Sequence, residues 1–325
     1  MKRVAIVVLN WQTWQATLAC LDSLRQLETI FSITLVICDN HSENQSLEEI
    51  SDWIKQHYSD NQYKIHSKPN FIKQVHLDCV LIQTGENLGF AGGMNVGIRY
   101  VLQQETYDYI WLLNNDTQVA ANALDKLYQC AQQEKTGLIG STILETDQPE
   151  IVQCAGGCRY YPWVTVFKNV YAGQTLQQLP SLPTPKLDYI YGASLFFPVS
   201  VIKQVGLLNE EYFLFYEELD YCQRLKQAGY RIAWCRDSFV YHQGSASIGQ
   251  VKQNIRAKLQ KANYYENLST LKYTANFYPL RLPIVMLLRF SLKALVLLLR
   301  RDFDLLPALF KAYKDFLYLK LFKKG

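Results

Sequence analysis

Over the first 118 residues, short apolar runs rich in β-branched side chains alternate with stretches of helical periodicity. The apolar runs cover residues 4–9, 33–37, 79–84 and 109–113, and the helical stretches cover 13–27, 47–56 and 91–103. Parallel strands that are buried beneath helices on both faces have this continuous apolar character. The pattern therefore predicts an α/β fold with a mostly parallel sheet and helices on both faces.

The rest of the chain predicts a smaller, partly antiparallel section, because short extended runs are separated there by Gly and Pro. The expected elements after residue 118 are helices over 120–135 and 217–228, and strands between 137 and 197, over 230–235 and over 239–242. Gly229 is the expected end of the second of these helices. Earlier in the chain, Ser46 is the expected N-cap of its helix, and the segment 57–77 is interpreted as a loop or insertion.

The composition is that of a folded globular protein, since 49% of the 325 residues are apolar and 19% are charged. The charge is spread unevenly. Residues 279–325 contain ten basic and three acidic residues, a net +7, whereas the first 278 residues contain 23 basic and 26 acidic ones, a net −3. A weakly acidic body argues against a nucleic-acid partner, and the basic tail is the part that favours an anionic surface.

The eight cysteines form no C-x-x-C pair, so reduced and buried thiols are expected rather than a zinc site or a disulfide framework. The apolar stretch after Met1-Lys2-Arg3 ends at Asn10, which is too short for a signal peptide. We therefore expect a cytoplasmic protein.

Polar residues follow three of the predicted strands, at 39–42, 87–95 and 114–116. Ligands of open α/β sheets bind beyond the carboxyl ends of the strands, so these runs are candidates for one binding site. Each run alone is also an ordinary turn, because Asn and Asp favour turns through local hydrogen bonds. The glycines of 87–95 lack the spacing of a dinucleotide fingerprint or a P-loop, but they would let the backbone approach a ligand at the start of a helix.

Asp116 and His242 are the candidate metal ligands. Hard cations such as Mg²⁺ or Mn²⁺ prefer carboxylate oxygens and share their remaining positions with substrate phosphates, which suits Asp116. His242 ends a predicted strand and is the natural second ligand if the sheet returns it to the same crevice. The alternative is a structural histidine.

The acidic run 217–220 contains the candidate general base. Helical geometry brings Asp220 within reach of Arg224 and turns Glu218 away from that pair. An unpaired carboxylate at a helix start near a crevice is suited to accept a proton. The alternative is a set of solvated acids that favour the N-terminus through the helix dipole.

Taken together, these segments resemble the family 2 inverting glycosyltransferases with the GT-A fold, especially their rhamnosyltransferase-like branch. The resemblance covers about 240 residues in order, and the joint pattern is specific although each piece is not. The matching segments are VAIVVLN (4–10), VICDNHS (36–42), NLGFAGGMN (87–95), WLLNND (111–116), GASLFF (192–197), GLLNEEYF (206–213), YEELDYCQR (216–224) and HQGS (242–245).

The resemblance implies a Rossmann-like sheet and a role for each matching residue. Asp39 would hold the nucleotide base, and Asp116 and His242 would hold the metal and the diphosphate. Glu218 would be the catalytic base, with Glu217 as the reserve candidate. The other residues expected to line the nucleotide-sugar are Asn10, Asn87, Gly89, Phe90, Gly92, Asn95, Asn114 and Asn115.

Two positions depart from the family pattern. Asn114 replaces the first aspartate of the D-x-D motif, which removes one metal-binding carboxylate, and Glu218 replaces an aspartate that is one methylene shorter. The implied reaction is a single displacement that inverts the anomeric carbon. A divalent ion and a histidine would stabilise the leaving diphosphate while a glutamate takes the proton of the acceptor hydroxyl.

The basic tail predicts two amphipathic helices, over 283–299 and 303–322. On the first, Arg289, Lys293 and Arg300 fall within about 40° of one another and form a basic stripe opposite Leu and Val. This composition is typical of interfacial helices on an anionic membrane leaflet. The alternatives are packing on the body, formation of a homodimer and, for the first helix, a membrane span.

We therefore expect a catalytic domain, 1–249, followed by a helical extension, 250–325. Within the catalytic domain, residues 1–118 would form the nucleotide-binding half and residues 119–249 the acceptor half. The resulting hypothesis describes a cytoplasmic glycosyltransferase, peripheral to the inner face of the cell membrane. The expected donor is dTDP-rhamnose or a UDP-sugar, and the expected acceptor is a lipid-linked or polysaccharide glycan. The alternative is a catalytically idle nucleotide-sugar-binding or scaffold protein of a polysaccharide assembly complex. Nucleotidyl transfer is disfavoured, because no pyrophosphorylase-type glycine-rich loop follows the first strand.

Overall fold

A computed structural model describes residues 1–69, 71, 77–133, 136–244 and 255–322. The α-helices are Trp14–Arg25 (α1), Ser46–His57 (α2), Gly89–Gln104 (α3), Ala123–Ala131 (α4), Val199–Val205 (α5), Glu217–Gln227 (α6), Ile255–Phe277 (α7), Leu282–Leu299 (α8) and Leu306–Phe322 (α9). The strands are Arg3–Asn10 (β1), Ser32–Asp39 (β2), Tyr63–His66 (β3), Cys79–Gln83 (β4), Tyr109–Asn114 (β5), Thr117–Val119 (β6), Thr136–Glu145 (β7), Val152–Ala155 (β8), Gly157–Tyr161 (β9), Val166–Asn169 (β10), Tyr189–Ile190 (β11), Ser194–Pro198 (β12) and Arg231–His242 (β13). Short 3₁₀ turns occur at Leu179–Ser181, Pro279–Arg281 and Phe303–Leu305.

Ten of the described strands form one mixed sheet in the order β3-β4-β2-β1-β5-β12-β7-β13-β6, with β8 paired to β7. The five strands from β3 to β5 in this order are parallel, β12 is antiparallel to both β5 and β7, and β13 is parallel to β7. The register pairs Asn10 with Asp39 and Leu9 with Asn114. The polar residues that end β1, β2 and β5 therefore meet at one end of the strands.

Successive side chains of β1 pack on opposite faces of the sheet, as expected for a strand that is buried on both sides. Val4, Ile6 and Val8 belong to the core beneath α1 and α2, whereas Ala5 and Val7 belong to the core beneath α3. The predicted α/β fold, mostly parallel with helices on both faces, is confirmed. The antiparallel part consists of β12, β8 and β6 in the main sheet and of a separate sheet, β10-β9-β11.

Several local features differ from the sequence-based expectation. The segment 57–77 contains β3, a four-residue edge strand that is too short and too polar to show a period. Ser46 is the first residue of α2 rather than its N-cap, and the Asn44 side chain accepts the Ser46 N–H at 3.1 Å. β13 is one strand with a register shift between Cys235 and Phe239, not two strands. Helix α5 and strand β6 went unpredicted, because elements of seven and three residues carry little periodicity.

The C-terminal helices α7, α8 and α9 pack together around a core that includes Leu271, Leu297, Leu309 and Phe316. Two of the three residues of the expected basic stripe face the protein, whereas the third, Arg300, is exposed just beyond the end of α8. Arg289 and Lys293 both face α7 and bind the Glu266 carboxylate at 2.9 Å, because this carboxylate is the counter-charge that the bundle provides. The outer face of α8 is therefore apolar. Within the described part of the chain, Pro279–Leu299 is the one helical segment long and apolar enough to cross a membrane.

Candidate active site

The carboxyl ends of β1 and β2 are joined by the side chains of Asn10 and Asp39. Asn10 Nδ2 donates to Asp39 Oδ1 at 2.7 Å, and the Ser42 hydroxyl donates to the same oxygen at 2.6 Å. The backbone N–H of Ser42 donates to the other oxygen, Oδ2, at 3.1 Å. Three donors thus hold the buried Asp39 carboxylate in one orientation at the end of β2.

A second set of contacts connects β1 with the residues that follow β5. The Thr17 hydroxyl of α1 donates to Asn10 Oδ1 at 2.8 Å and accepts a hydrogen bond from Asn115 Nδ2 at 2.8 Å. Asn115 Nδ2 also lies 2.8 Å from the Thr13 hydroxyl. Asp39 and Asn115 therefore belong to one continuous hydrogen-bonded network.

Asp116 and His242 lie together next to this network. Asp116 Oδ1 is 3.3 Å from His242 Nε2, and neither side chain is more than 10% exposed. The other ring nitrogen, Nδ1, is 2.7 Å from Gln153 Oε1, and Gln153 Nε2 donates to Glu145 at 3.0 Å. Because an amide oxygen only accepts, Nδ1 carries a hydrogen, and Nε2 is the ring nitrogen that faces Asp116.

This arrangement fits a divalent cation. Metal-binding histidines commonly donate one ring N–H to a second group, which fixes the other nitrogen toward the ion. Asn114 adds a buried amide oxygen, Oδ1, that has no hydrogen-bond partner. Among the described residues no group of three His, Cys, Asp or Glu side chains could hold a metal. A cation held by Asp116 and His242 would therefore complete its shell with Asn114, water or substrate phosphate.

Helix α6 begins with two carboxyl groups in different surroundings. Glu217 is buried, and its Oε2 atom has no hydrogen-bond partner. Burial and, second, repulsion from Glu218 raise the pKa of Glu217 well above its usual range. Glu218 is partly exposed, and burial of its carboxyl end raises its pKa to about 7. Asp220 pairs with Arg224 at 2.6 Å, as the helical spacing predicts.

The residues before β12 connect Glu218 with the end of β5. The Glu218 carboxyl group lies against Gly192, and a Cβ at that position would collide with its Oε1 atom. The next residue, Ala193, accepts the backbone N–H of Asn114 through its carbonyl at 3.2 Å. Glu218 and Asn114 therefore contact adjacent residues, Gly192 and Ala193.

Tyr191 directly precedes Gly192, which the Glu218 carboxyl group contacts, and it also packs against the Asp116–His242 pair. Its ring packs edge-on against His242, with 5.8 Å between the ring centres. Burial is the largest cause that raises the pKa of Tyr191, and two nearby thiols and the carboxylates of Glu218 and Asp116 add to it. Both carboxylates are therefore within electrostatic reach of one hydroxyl group.

The segment 87–95 begins α3 and contacts the turn after β2. Asn40 Nδ2 donates to Asn87 Oδ1 at 3.2 Å and to the Gly89 carbonyl at 3.0 Å. Gly89 has a φ of 70°, and a Cβ there would collide with the carbonyl of Phe213, which accepts the Phe90 N–H at 2.9 Å. The start of α3 is thereby fixed beside the turn that follows Asp39.

Further along α3, the side chains and glycines make packing contacts. Asn95 is fully buried; its Nδ2 donates to the Leu208 carbonyl at 2.8 Å and its Oδ1 accepts the Leu208 N–H at 3.0 Å. A Cβ at Gly92 would crowd Leu88, and one at Gly93 would crowd Leu9 of β1. Gly93 therefore lets the helix approach β1 closely, whereas Gly92 makes room for Leu88 at the start of the same helix.

Three residues that hold the site together were not predicted from the sequence: Thr17, Gln153 and Tyr191. Gln153 is 89 positions from the histidine that it orients, and no local motif marks such a partner. Tyr191 directly precedes the matching segment 192–197, and this position is the one signal that could have found it.

Two of the solved structures that share this fold contain Mn²⁺ and a nucleotide or nucleotide-sugar. GalNAc-T7, solved with UDP, GalNAc and Mn²⁺, aligns with a TM-score of 0.58 over 81% of this chain and 51% of its own, at 14% identity. Mannosyltransferase PcManGT from Pyrobaculum calidifontis, in complex with GDP-Man and Mn²⁺, aligns with a TM-score of 0.55 over 100% of this chain and 89% of its own, at 12% identity. The fold is the GT-A fold of glycosyltransferases.

The sequence model of the family described as "Glycosyltransferase like family 2" matches residues 2–260. Because this match covers most of the chain, the chain belongs to that family. The resemblance drawn from the sequence motifs is thereby confirmed.

Curated relatives are similar over part of their length. Low-salt glycan biosynthesis hexosyltransferase Agl10 of Haloferax volcanii is 28% identical over 166 residues, 50% of each chain. N-acetylglucosaminyl-diphospho-decaprenol L-rhamnosyltransferase of Mycobacterium tuberculosis is 23% identical over 60% of this chain and 69% of its own. dTDP-rhamnosyl transferase RfbF of Shigella flexneri is 25% identical over 66% of this chain and 68% of its own. This chain thus spans about half the length of the Haloferax relative and is similar to rhamnosyl- and hexosyltransferases.

Proposed function

We propose that this protein is an inverting, metal-dependent glycosyltransferase that moves a sugar from a nucleoside-diphosphate sugar to a hydroxyl of a lipid-linked or polysaccharide glycan. The rhamnosyltransferase relatives favour dTDP-rhamnose as the donor, with a UDP-sugar as the alternative. One observation carries the proposal: the Glu218 carboxyl group lies against Gly192, while the preceding residue, Tyr191, packs against His242 of the Asp116–His242 pair.

These residues divide the reaction between two sides of the sugar. Glu218 takes the proton of the acceptor hydroxyl as that oxygen bonds to the anomeric carbon, while the bond to the diphosphate oxygen breaks on the opposite face. Asp116 and His242 would hold Mg²⁺ or Mn²⁺, which when bound supplies electrostatic stabilisation of the departing diphosphate. Asp39, oriented by Asn10 and Ser42, would accept hydrogen bonds from the nucleotide base. A single displacement needs one base and no protein nucleophile.

The proposal places the enzyme on the cytoplasmic face of a membrane, with residues 1–249 as the catalytic domain and 250–325 as the membrane-associated extension. Support comes from the outer face of α8, where Leu287 is 69% and Leu299 is 75% exposed. Apolar surface of this extent on a folded protein marks an interaction site. Apart from Arg289 and Lys293, which bind Glu266, residues 279–325 contain eight basic and three acidic residues, a net +5 that favours an anionic leaflet.

The test of the catalytic proposal is the Glu218→Gln variant, which keeps the size of the side chain but cannot accept the proton. We expect kcat to fall about 10²- to 10⁴-fold with nearly unchanged donor affinity. Glu211→Gln is the matched control, because Glu211 is an exposed carboxylate seven residues earlier and should keep full turnover. Unaltered turnover by Glu218→Gln would remove Glu218 from the mechanism. Donor binding without turnover by the unmodified protein, with dTDP- and UDP-sugars alike, would favour the idle nucleotide-sugar-binding alternative.

A further inference from the structure

The hairpin of β9 and β10 exposes apolar side chains at its tip, residues 161–166. Four of these side chains, each between 45% and 52% exposed, are Tyr161, Trp163, Val164 and Val166. Tyr161 and Val166 are register partners, so they lie side by side on the outer face of the hairpin. The catalytic body thus carries an apolar projection of its own, separate in sequence from the C-terminal helices.

Two arginines fix the hairpin tip against α8. Arg289 Nη1 donates to the Thr165 hydroxyl at 2.7 Å, and the Arg281 guanidinium lies 4.7 Å from the ring centre of Trp163. Arg281 immediately precedes α8, and the exposed Ile284 lies three residues further along, in the first turn of that helix. The exposed residues of the hairpin tip therefore adjoin the exposed apolar face of α8.

Basic side chains border the hairpin tip on the same face. Arg159 and Lys168 form the register pair two residues further along each strand, so they share the outer face with Tyr161 and Val166. Lys168 is exposed, whereas Arg159 binds Asp188 at 2.8 Å. Trp and Tyr at an apolar tip with cations behind them suit the headgroup level of an anionic bilayer.

We propose that the hairpin tip and the outer face of α8 together form the membrane-binding surface, with the tip inserted among the headgroups of an anionic leaflet. This inference rests on the membrane association proposed above and adds a contact made by the catalytic domain itself. Two contacts fix the orientation of the catalytic domain, not only its distance from the bilayer.

The orientation has a consequence for the acceptor. On the inner face of the hairpin, Tyr160 and Phe167 pack against Tyr216, with ring centres 6.0 Å and 5.1 Å away. Tyr216 immediately precedes α6, the helix that begins with Glu217 and Glu218. The proposed surface therefore lies beside the element that carries the catalytic base, where a lipid-linked hydroxyl would approach.

The experiment measures binding of the full chain to vesicles of phosphatidylcholine with and without phosphatidylglycerol. We expect the double variant Trp163→Ser, Val164→Ser to bind anionic vesicles at least about ten-fold more weakly than the parent. Ile30→Ser is the matched control, because Ile30 is 70% exposed and lies in the α1–β2 loop, at the opposite end of the sheet from Asp39. Circular dichroism of each variant checks that the fold is kept.

A second measurement does not depend on the double variant. Tryptophan fluorescence of the parent on vesicles of brominated lipid should be quenched, and Trp163→Phe should still bind but lose most of that quenching. Quenching that persists in Trp163→Phe, or equal vesicle binding by the double variant and the parent, overturns this inference while leaving the association through α8 intact. Absence of vesicle binding by the parent overturns both. A dimer of the parent in solution that the double variant abolishes assigns the surface to a second copy of the chain instead.

Discussion

Glu217 and Glu218 are adjacent in the chain, and helical geometry turns their side chains about 100° apart. Glu217 points into the protein, where its Oε2 atom finds no donor, while Glu218 reaches across Gly192 and keeps part of its surface exposed. The buried carboxyl group is thereby favoured in its neutral form. The partly exposed one can exchange a proton near neutral pH.

The pKa of Glu218 predicts the pH dependence of catalysis. A general base acts in its ionised form, so kcat/KM should rise with pH and level off above about 7. Initial rates between about pH 5 and about pH 9 measure this profile, and Glu211→Gln should reproduce it. A rate that is flat from about pH 5 upward would show that ionisation of Glu218 is not used.

Glu217 predicts a pH-dependent stability. Its pKa is raised in the folded state, so the native protein keeps a proton that the unfolded chain releases, and stability falls as pH rises between the unfolded and folded pKa values. Glu217→Gln removes this loss. The unfolding free energy of Glu217→Gln should therefore exceed that of the parent by a margin that grows with pH. Between the unfolded and folded pKa values of Glu217, this margin should grow by up to about 1.4 kcal/mol per pH unit.

Denaturant unfolding at about pH 5 and about pH 8 measures the unfolding free energy of Glu217→Gln relative to the parent at each pH. Glu211→Gln, at an exposed position, is the control and should match the parent at both pH values. Equal gains for Glu217→Gln at both pH values would mean that Glu217 is ionised in the native protein.

At the scale of elements, α7 holds the turn that leads into α6. Phe215 and Tyr216 have φ values of 66° and 77°, a left-handed conformation that costs a non-glycine residue about 1 kcal/mol or more. The buried Tyr216 hydroxyl is hydrogen-bonded to Thr270 Oγ1 at 2.9 Å, and Ser269 donates to the Leu214 carbonyl at 2.8 Å. These contacts from α7 compensate the strain of the turn.

The role of α7 is tested by Thr270→Val, which keeps the shape of the side chain and removes the partner of Tyr216. We expect a loss of about 1–3 kcal/mol in stability and a lower kcat with nearly unchanged donor KM, because the turn positions Glu218 and not the nucleotide. Thr270→Ser should restore kcat.

Thr274→Val is the matched control for this variant. Thr274 is buried one helical turn later, and its hydroxyl donates to the Thr270 carbonyl within the same helix at 2.8 Å. A similar fall of kcat in Thr270→Val and Thr274→Val would assign the effect to α7 in general rather than to its contact with Tyr216.

Elements with a long and simple pattern could be predicted from the sequence. The strands β1, β2 and β5 lie within about two residues of their expected bounds, because a buried parallel strand is a continuous apolar run. The direction of the basic stripe on α8 could not be predicted in this way. Residue spacing gives the angle between Arg289 and Lys293, but their direction depends on Glu266, which belongs to another helix.

At the scale of the whole molecule, half of the candidate site follows from topology. Parallel strands end on the same side, so the meeting of Asn10, Asp39 and Asn114 could be expected from the sequence. The approach of Glu218 to the Asp116–His242 pair could not be derived from spacing, because it depends on where β12 and β13 enter the sheet. The family resemblance supplied that expectation. In the structure, Tyr191 packs against His242 and the next residue, Gly192, lies against Glu218.

In the proposed function, one ligand bridges Asp39 and the Asp116–His242 pair. Calorimetric titration with thymidine diphosphate, thymidine and pyrophosphate, each with Mn²⁺, separates the two ends of that ligand. Asp39→Asn should weaken binding of thymidine diphosphate and thymidine but not of pyrophosphate, and His242→Ala should weaken thymidine diphosphate and pyrophosphate but not thymidine. We expect each loss to be about ten-fold or more, which is about 1.4 kcal/mol. Binding of thymidine diphosphate with unchanged affinity to both variants would contradict a single nucleotide-sugar site at these strand ends.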